Sequence, residues 1–190
     1  DICGLAPDWY VGNLHKWVCA PLGAAFVWAS QHQRSSTHPM TVSHCLDQGL
    51  ESEFGWQGTR DISAWLTAAD AVLFGDSIGW DTIREHNHQF VMWMHESLIQ
   101  EWNVVPLAPI DGSMFGAMAT LLLPDACPQT MQGCLDFRDK IYEKYLIEVP
   151  IMEFQGSAVI RVSANLYSKQ GDIDSLKAAM RAEFKLLQMN

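Results

Sequence analysis

Apolar positions over the first sixty residues fall in short continuous runs, and beyond residue 60 they recur at helical spacing. Trp9-Tyr10-Val11, ended by Gly12-Asn13, and Ala24-Ala25-Phe26-Val27-Trp28-Ala29, entered through Pro21 and Gly23, predict two strands joined by a loop. They have the look of strands from a larger sheet. Ser30 to Glu53 is polar and rich in serine and histidine, which predicts an exposed loop. From Asp61 a capping carboxylate, followed by Ile62, Trp65, Leu66, Ala69, Val72 and Leu73, predicts a helix that ends at Gly75.

A second helix is predicted from Asp81 to Trp102, with Ile83, Asn87, Phe90, Val91, Met94, Leu98 and Ile99 on one side and Pro106 and Pro109 beyond it. Gly116 to Pro124 predicts a strand, Thr130 to Tyr145 a helix, and Ile147 to Phe154 and Ala158 to Ala164 two strands joined through Gln155-Gly156-Ser157. Asp172 caps a last helix whose apolar side carries Ile173, Leu176, Met180, Phe184 and Leu187. The second half therefore reads β-α-β-β-α, a small α+β layer packed on helices, within an α/β chain overall.

Composition narrows the class. In 190 residues, 48% are hydrophobic and 18% charged, enough apolar material for a core and too little bias for disorder. With 12 Lys+Arg against 22 Asp+Glu, the net charge of −10 opposes binding to nucleic-acid phosphates or anionic membrane surfaces. No apolar run is long enough to span a bilayer, and the expected location is cytoplasmic. The five cysteines, Cys3, Cys19, Cys45, Cys127 and Cys134, have irregular spacing and no CxxC pair, which predicts free, mostly buried thiols in a reducing compartment.

Three places carry candidate chemistry. Lys16, in a loop between two strands and flanked by His15 and Trp17, is placed for partial desolvation, which lowers an ammonium pKa as a nucleophilic amine requires. Gly58-Thr59-Arg60-Asp61 sets a hydroxyl before a helix N-terminus, where free N–H groups favour a phosphate. Arg161 lies inside the apolar strand Val159-Ile160-Arg161-Val162 and needs a carboxylate, either a protein acid or that of an amino-acid substrate. His44 in the polar loop is either a substrate-entrance residue or a surface histidine. No metal site is expected: His86, His88 and His95 have neither a common helix face nor a completing carboxylate.

The run Asp8-Trp9-Tyr10-Val11-Gly12-Asn13-Leu14-His15-Lys16-Trp17, the following Ala20-Pro21-Leu22-Gly23, Val42-Ser43-His44, and Trp56-Gln57-Gly58-Thr59-Arg60-Asp61 together resemble the class V aminotransferase family. Ile147-Glu148-Val149-Pro150, Val159-Ile160-Arg161-Val162-Ser163, Tyr167 and Asp172-Ile173-Asp174 extend the resemblance over nearly the whole chain. Within the family it is nearest to the isopenicillin N epimerase-like branch, which includes cysteine desulfhydrase-like C–S lyases.

The resemblance implies a partial fold-type-I transferase fold that depends on pyridoxal 5'-phosphate (PLP). Residues 1–75 correspond to the end of the large cofactor domain, and 76–190 to the small C-terminal α+β domain. Lys16 matches the Schiff-base lysine and general base and acid, and Asn13 and His15 match cofactor-phosphate ligands. Thr59 matches a residue that reaches the phosphate in the neighbouring subunit of a homodimer, and Arg161 matches the clamp on the substrate α-carboxylate. The reaction is left among epimerisation, C–S lysis and transamination of an amino acid. Only fifteen residues precede Lys16, and neither Asp1 nor Asp8 matches the aspartate that pairs with the pyridine nitrogen. The chain therefore reads as the C-terminal half of such an enzyme, and the alternative is a non-catalytic half that folds or dimerises without productive cofactor binding. A cysteine desulfurase is disfavoured, since Ile151 to Ile160 holds no cysteine.

Overall fold

The computed structural model describes residues 1–189 and divides into two compact units, Asp1–Ile78 and Gly79–Asn190. In the first, a one-turn helix α1 (Ile2–Leu5) precedes strands β1 (Trp9–Asn13) and β2 (Ala25–Ala29). These pair antiparallel, Trp9 opposite Ala29 and Asn13 opposite Ala25, into a two-stranded sheet. Both faces carry exposed apolar side chains, among them Trp9, Tyr10, Val11 and Phe26. Among the described residues of this unit, the buried apolar side chains are alanines only: Ala20, Ala24 and Ala29.

The polar stretch after β2 is more ordered than its composition predicts. It contains a 3₁₀ turn (Arg34–Ser36), and helix α2 (Leu50–Gly55) begins inside it. Cross-links explain the order: His32 Nε2 meets Asp8 Oδ1 at 2.7 Å, Trp9 Nε1 donates to Thr37 Oγ1 at 2.8 Å, and Arg34 pairs with Glu51. The single helix expected from Asp61 to Gly75 is two, α3 (Ser63–Leu66) and α4 (Ala68–Ile78). The Asp61 carboxylate accepts from the Ser63 backbone N–H and hydroxyl, as a cap does, which pulls its pKa down. At the break, Thr67 donates its hydroxyl to the Ser63 carbonyl. Gly75 lies inside α4, and the chain turns at Gly79, whose φ of 96° suits glycine.

The second unit follows the predicted order closely: α5 (Trp80–Trp102), β3 (Met118–Leu122), α6 (Met131–Tyr145), β4 (Ile151–Phe154), β5 (Ser157–Ser163) and α7 (Gln170–Gln188). The sheet order is β3-β5-β4, all antiparallel, with Thr120 opposite Arg161 and Ile151 opposite Ile160. β4 and β5 turn through Gln155 and Gly156, both at positive φ, the two-residue geometry that matches strand twist. One face of β5, Ala158, Ile160 and Val162, joins a core with Met94 and Leu98 of α5, Phe137 and Ile141 of α6, and Leu176 and Met180 of α7. Each such large side chain contributes on the order of 2 kcal/mol. Thr130 caps α6, accepting from Gly133 N–H at 3.2 Å.

Polar groups enter this core at defined points. Glu183 is fully buried, yet Lys144 Nζ and Tyr145 Oη donate to its Oε1 at 2.8 and 2.7 Å, and Lys140 pairs with its Oε2. Burial alone opposes its ionisation, but these donors outweigh burial and hold the carboxyl at about 2. His95, 1% exposed and edge-on to Phe115, has its pKa lowered by burial. Cys127 is pushed up to about 12 by burial and Cys134 is also raised, while Cys3 and Cys19 are exposed and Cys45 is half-buried. The expectation of mostly buried thiols therefore holds for two of the five. Among the described residues no helix is long and apolar enough to cross a membrane.

Glu183→Gln is expected to lower the unfolding free energy by about 2 kcal/mol at pH 7, because it removes charged hydrogen bonds to lysines that can rehydrate. The folded pKa is depressed, so the difference from wild type is full above the ordinary value of 4.5 and closes as pH falls toward about 2. Urea unfolding of both proteins across that range measures it.

Candidate functional site

The loop between β1 and β2 is built by its backbone. Leu14 N–H donates to Ala24 O at 2.9 Å and Ala20 N–H to Leu14 O at 3.0 Å, closing its neck, and Cys19 N–H donates to Lys16 O in a turn at its tip. Cys19 takes a positive φ of 62° there. Asn13 at the end of β1, His15 and Lys16 are thus carried together on one rigid loop. Lys16 is exposed, not partly desolvated as predicted, since within this unit it stands on a turn beyond a two-stranded ribbon. His15 is half-buried, and its Nδ1 is shielded from water without a hydrogen-bond partner.

Thr59 is exposed beside Gly58, whose φ is 100°, and precedes α3 by a short bend. That helix is a single turn, so the phosphate-favouring helix N-terminus expected there is weak. Neither Thr59 nor the exposed His44 makes a hydrogen bond to Asn13, His15 or Lys16 among the described residues. The first unit also contains an acid–imidazole pair that the sequence reading missed: Glu53, 4% exposed, receives His38 Nδ1 at 2.7 Å. The bond to Glu53 raises the His38 pKa. With Cys45, Ser43 and Trp56 these two residues line a small cavity of about 30 Å³ next to His44. The signal available in the sequence was a glutamate on the inner side of a short helix facing a histidine-rich loop.

Arg161 is in the second unit, on the central strand. It is half-buried, its Nε is shielded from water with no partner, and its guanidinium makes no ion pair with any described acid. Of its two predicted partners, a protein carboxylate is not the one the structure supplies. Arg161 lines a cavity of about 240 Å³ with Glu148, Pro150, Ser163 and Asp172. Asp172 is engaged, accepting Lys169 N–H at 2.8 Å in the capping box of α7. The β4–β5 turn has room for Gln155 and Gly156 alone and carries no cysteine. Among the described residues no group of three or more His, Cys, Asp or Glu is arranged to hold a metal ion. His86 stacks on Phe90, while His95 is buried against Phe115.

No family model matches the chain. It is 26% identical over 196 residues to an isopenicillin N epimerase of Amycolatopsis lactamdurans, covering 95% of this chain and 48% of that protein. It is 29% identical over 201 residues to a putative L-cysteine desulfhydrase 1 of Oryza sativa subsp. japonica, covering 95% of this chain and 41% of that protein. An apo cysteine desulfurase structure from Thermococcus onnurineus NA1 superposes with a TM-score of 0.68 at 16% identity, over 97% of this chain and 48% of that one. The fold is therefore α/β, of the architecture of a partial PLP-dependent fold-type-I enzyme. The chain is related to the fold-type-I, PLP-dependent aminotransferase and epimerase superfamily. It spans about half the length of the curated relatives it matches.

Because the His38 pKa is raised, the stability its bond to Glu53 gives the 31–48 loop is full below the ordinary histidine value of 6.5 and is lost as pH rises through the folded value. Amide exchange in that loop, corrected for intrinsic rates, is expected to speed up severalfold at alkaline pH in wild type. In His38→Ala it is expected to be fast throughout.

Proposed function

We propose that the chain is the C-terminal portion of a PLP-dependent enzyme that acts on an amino acid by moving a proton at Cα, with epimerisation or C–S lysis as the outcome. The observation that carries this reading is Arg161, a buried-Nε guanidinium with no acid to pair with, in a cavity of amino-acid size. A bound carboxylate completes it. Two relatives, an isopenicillin N epimerase and a putative L-cysteine desulfhydrase, support the choice of reactions by name.

The residues of the β1–β2 loop fit the cofactor. His15 Nδ1 is a shielded polar atom with no protein partner, and Asn13 and Lys16 project from the same closed loop without competing ion pairs. Asn13 and His15 would hold the phosphate, and Lys16 would bind the aldehyde carbon as a Schiff base. When bound, PLP draws electrons away from the substrate Cα and so acidifies its C–H. Lys16 Nζ, released when the substrate amine takes its place on the aldehyde carbon, would take that proton as base and return it as acid. Delivery of a proton to the opposite face by a second acid would invert the centre, whereas departure of a β-thiolate would give the lyase outcome. Arg161 would fix the substrate α-carboxylate and so orient the amino acid at its Cα. Thr59, exposed on the Gly58 turn, would reach the phosphate held by a second copy in a homodimer, and His44 would flank the substrate entrance. Asp8 is paired with His32.

The short β4–β5 turn supports epimerase or lyase chemistry over sulfur transfer through a mobile cysteine. Mixing the chain with PLP is expected to give a visible absorbance band that borohydride bleaches and Lys16→Ala abolishes. Absence of that band, both alone and with an N-terminal half supplied, leaves the non-catalytic reading. Arg161→Ala is expected to keep the band and weaken amino-acid binding by about 2 kcal/mol, the scale of a charged hydrogen-bonded pair, read by calorimetry.

A further inference from the structure

Beside the Arg161 cavity the second unit has a much larger cleft, about 700 Å³, lined by Arg138, Asp139 and Tyr142 of α6 and by Glu148, Val149 and Pro150. The last three residues border both cavities, so the Glu148–Pro150 segment is common to the two. A small amino acid is accommodated by the 240 Å³ cavity alone, and the cleft has the volume of sites for far larger ligands.

The charges of the cleft indicate what the larger ligand carries. Arg138 is already neutralised: its Nε and Nη2 both donate to Asp139 Oδ1, at 2.9 and 2.7 Å. Glu148 is exposed and has neither a hydrogen bond nor an ion pair among the described residues, so it is the uncompensated charge. Tyr142, 52% exposed, also lines this cleft, and Val149 and Pro150 are apolar. An anionic carboxylate beside an aromatic face selects a cation, and the net charge of −10 favours its approach.

We propose that this cleft is a distal substrate subsite that takes a cationic group, so that the substrate is an extended amino acid with its α-carboxylate on Arg161 and a positively charged end between Glu148 and Tyr142. The inference rests on the assignment of Arg161 as the carboxylate anchor. It identifies Glu148 and Tyr142 as specificity residues, neither of which touches the reacting atoms.

The test is a chemical-shift titration of the 190-residue chain with three probes: L-cysteine, Nε-acetyl-L-lysine and ε-(L-lysyl)-L-lysine. The dibasic probe is expected to bind about tenfold tighter than the other two. Glu148→Gln should remove that advantage, bringing the dibasic probe level with Nε-acetyl-L-lysine, and Tyr142→Ala should reduce it. Equal affinity for all three probes, no binding by any of them, or a dibasic advantage that survives Glu148→Gln overturns the proposal. Arg161→Ala separates the two ideas. Equal weakening of all three probes supports the anchor, whereas no weakening with Glu148 dependence intact refutes the anchor and leaves the cation site standing.

Discussion

The central strand β5 has one constraint that everything functional in the second unit depends on, the alternation of side chains across a pleated sheet. Ala158, Ile160 and Val162 point into the helices, so Val159, Arg161 and Ser163 point the other way. Paired on both sides, with Leu121 opposite Ile160 and Thr120 opposite Arg161 on β3 and Ile151 opposite Ile160 on β4, the strand cannot slip by a residue without sending its whole apolar set to the wrong face. The guanidinium is therefore positioned by the same register that builds the core. Its unpaired Nε is kept because the surrounding hydrophobic packing makes any other register far worse.

The clamp around Glu183 plays a supporting part. It ties α7 to α6, and these two helices carry walls of the two neighbouring cavities: Asp172 and Leu176 on α7, Arg138 and Tyr142 on α6. A buried carboxylate with two ammonium partners and a phenol is directional in a way apolar packing is not, so it specifies how the helices meet.

The second unit was legible because its helices have one-sided apolar stripes and two of them, α6 and α7, open on capping side chains. Thr130 and Asp172 marked starts that the structure reproduces to within two residues. Glu183 was missed although it falls on the stripe Ile173, Leu176, Met180, Leu187, because periodicity shows that a position faces inward and not which lysines meet it there. The first unit was less legible. Its loop from Ser30 to Glu53 is ordered by pairs far apart in sequence, such as Asp8 with His32 and His38 with Glu53, which no local pattern encodes. Lys16 was marked as a candidate by its neighbours and a family resemblance. Its degree of burial depends on what packs over the loop, and a run of adjacent residues carries no information about that.

The tight turn at Gln155-Gly156 also bears on how this sheet assembles. Strands β4 and β5 are neighbours along the chain and zip together after the smallest possible loop closure, whereas β3 can dock on β5 only when the whole α6 segment has been drawn in between. The hairpin is thus the natural seed, and the edge strand nearer the amino terminus is the late arrival in folding.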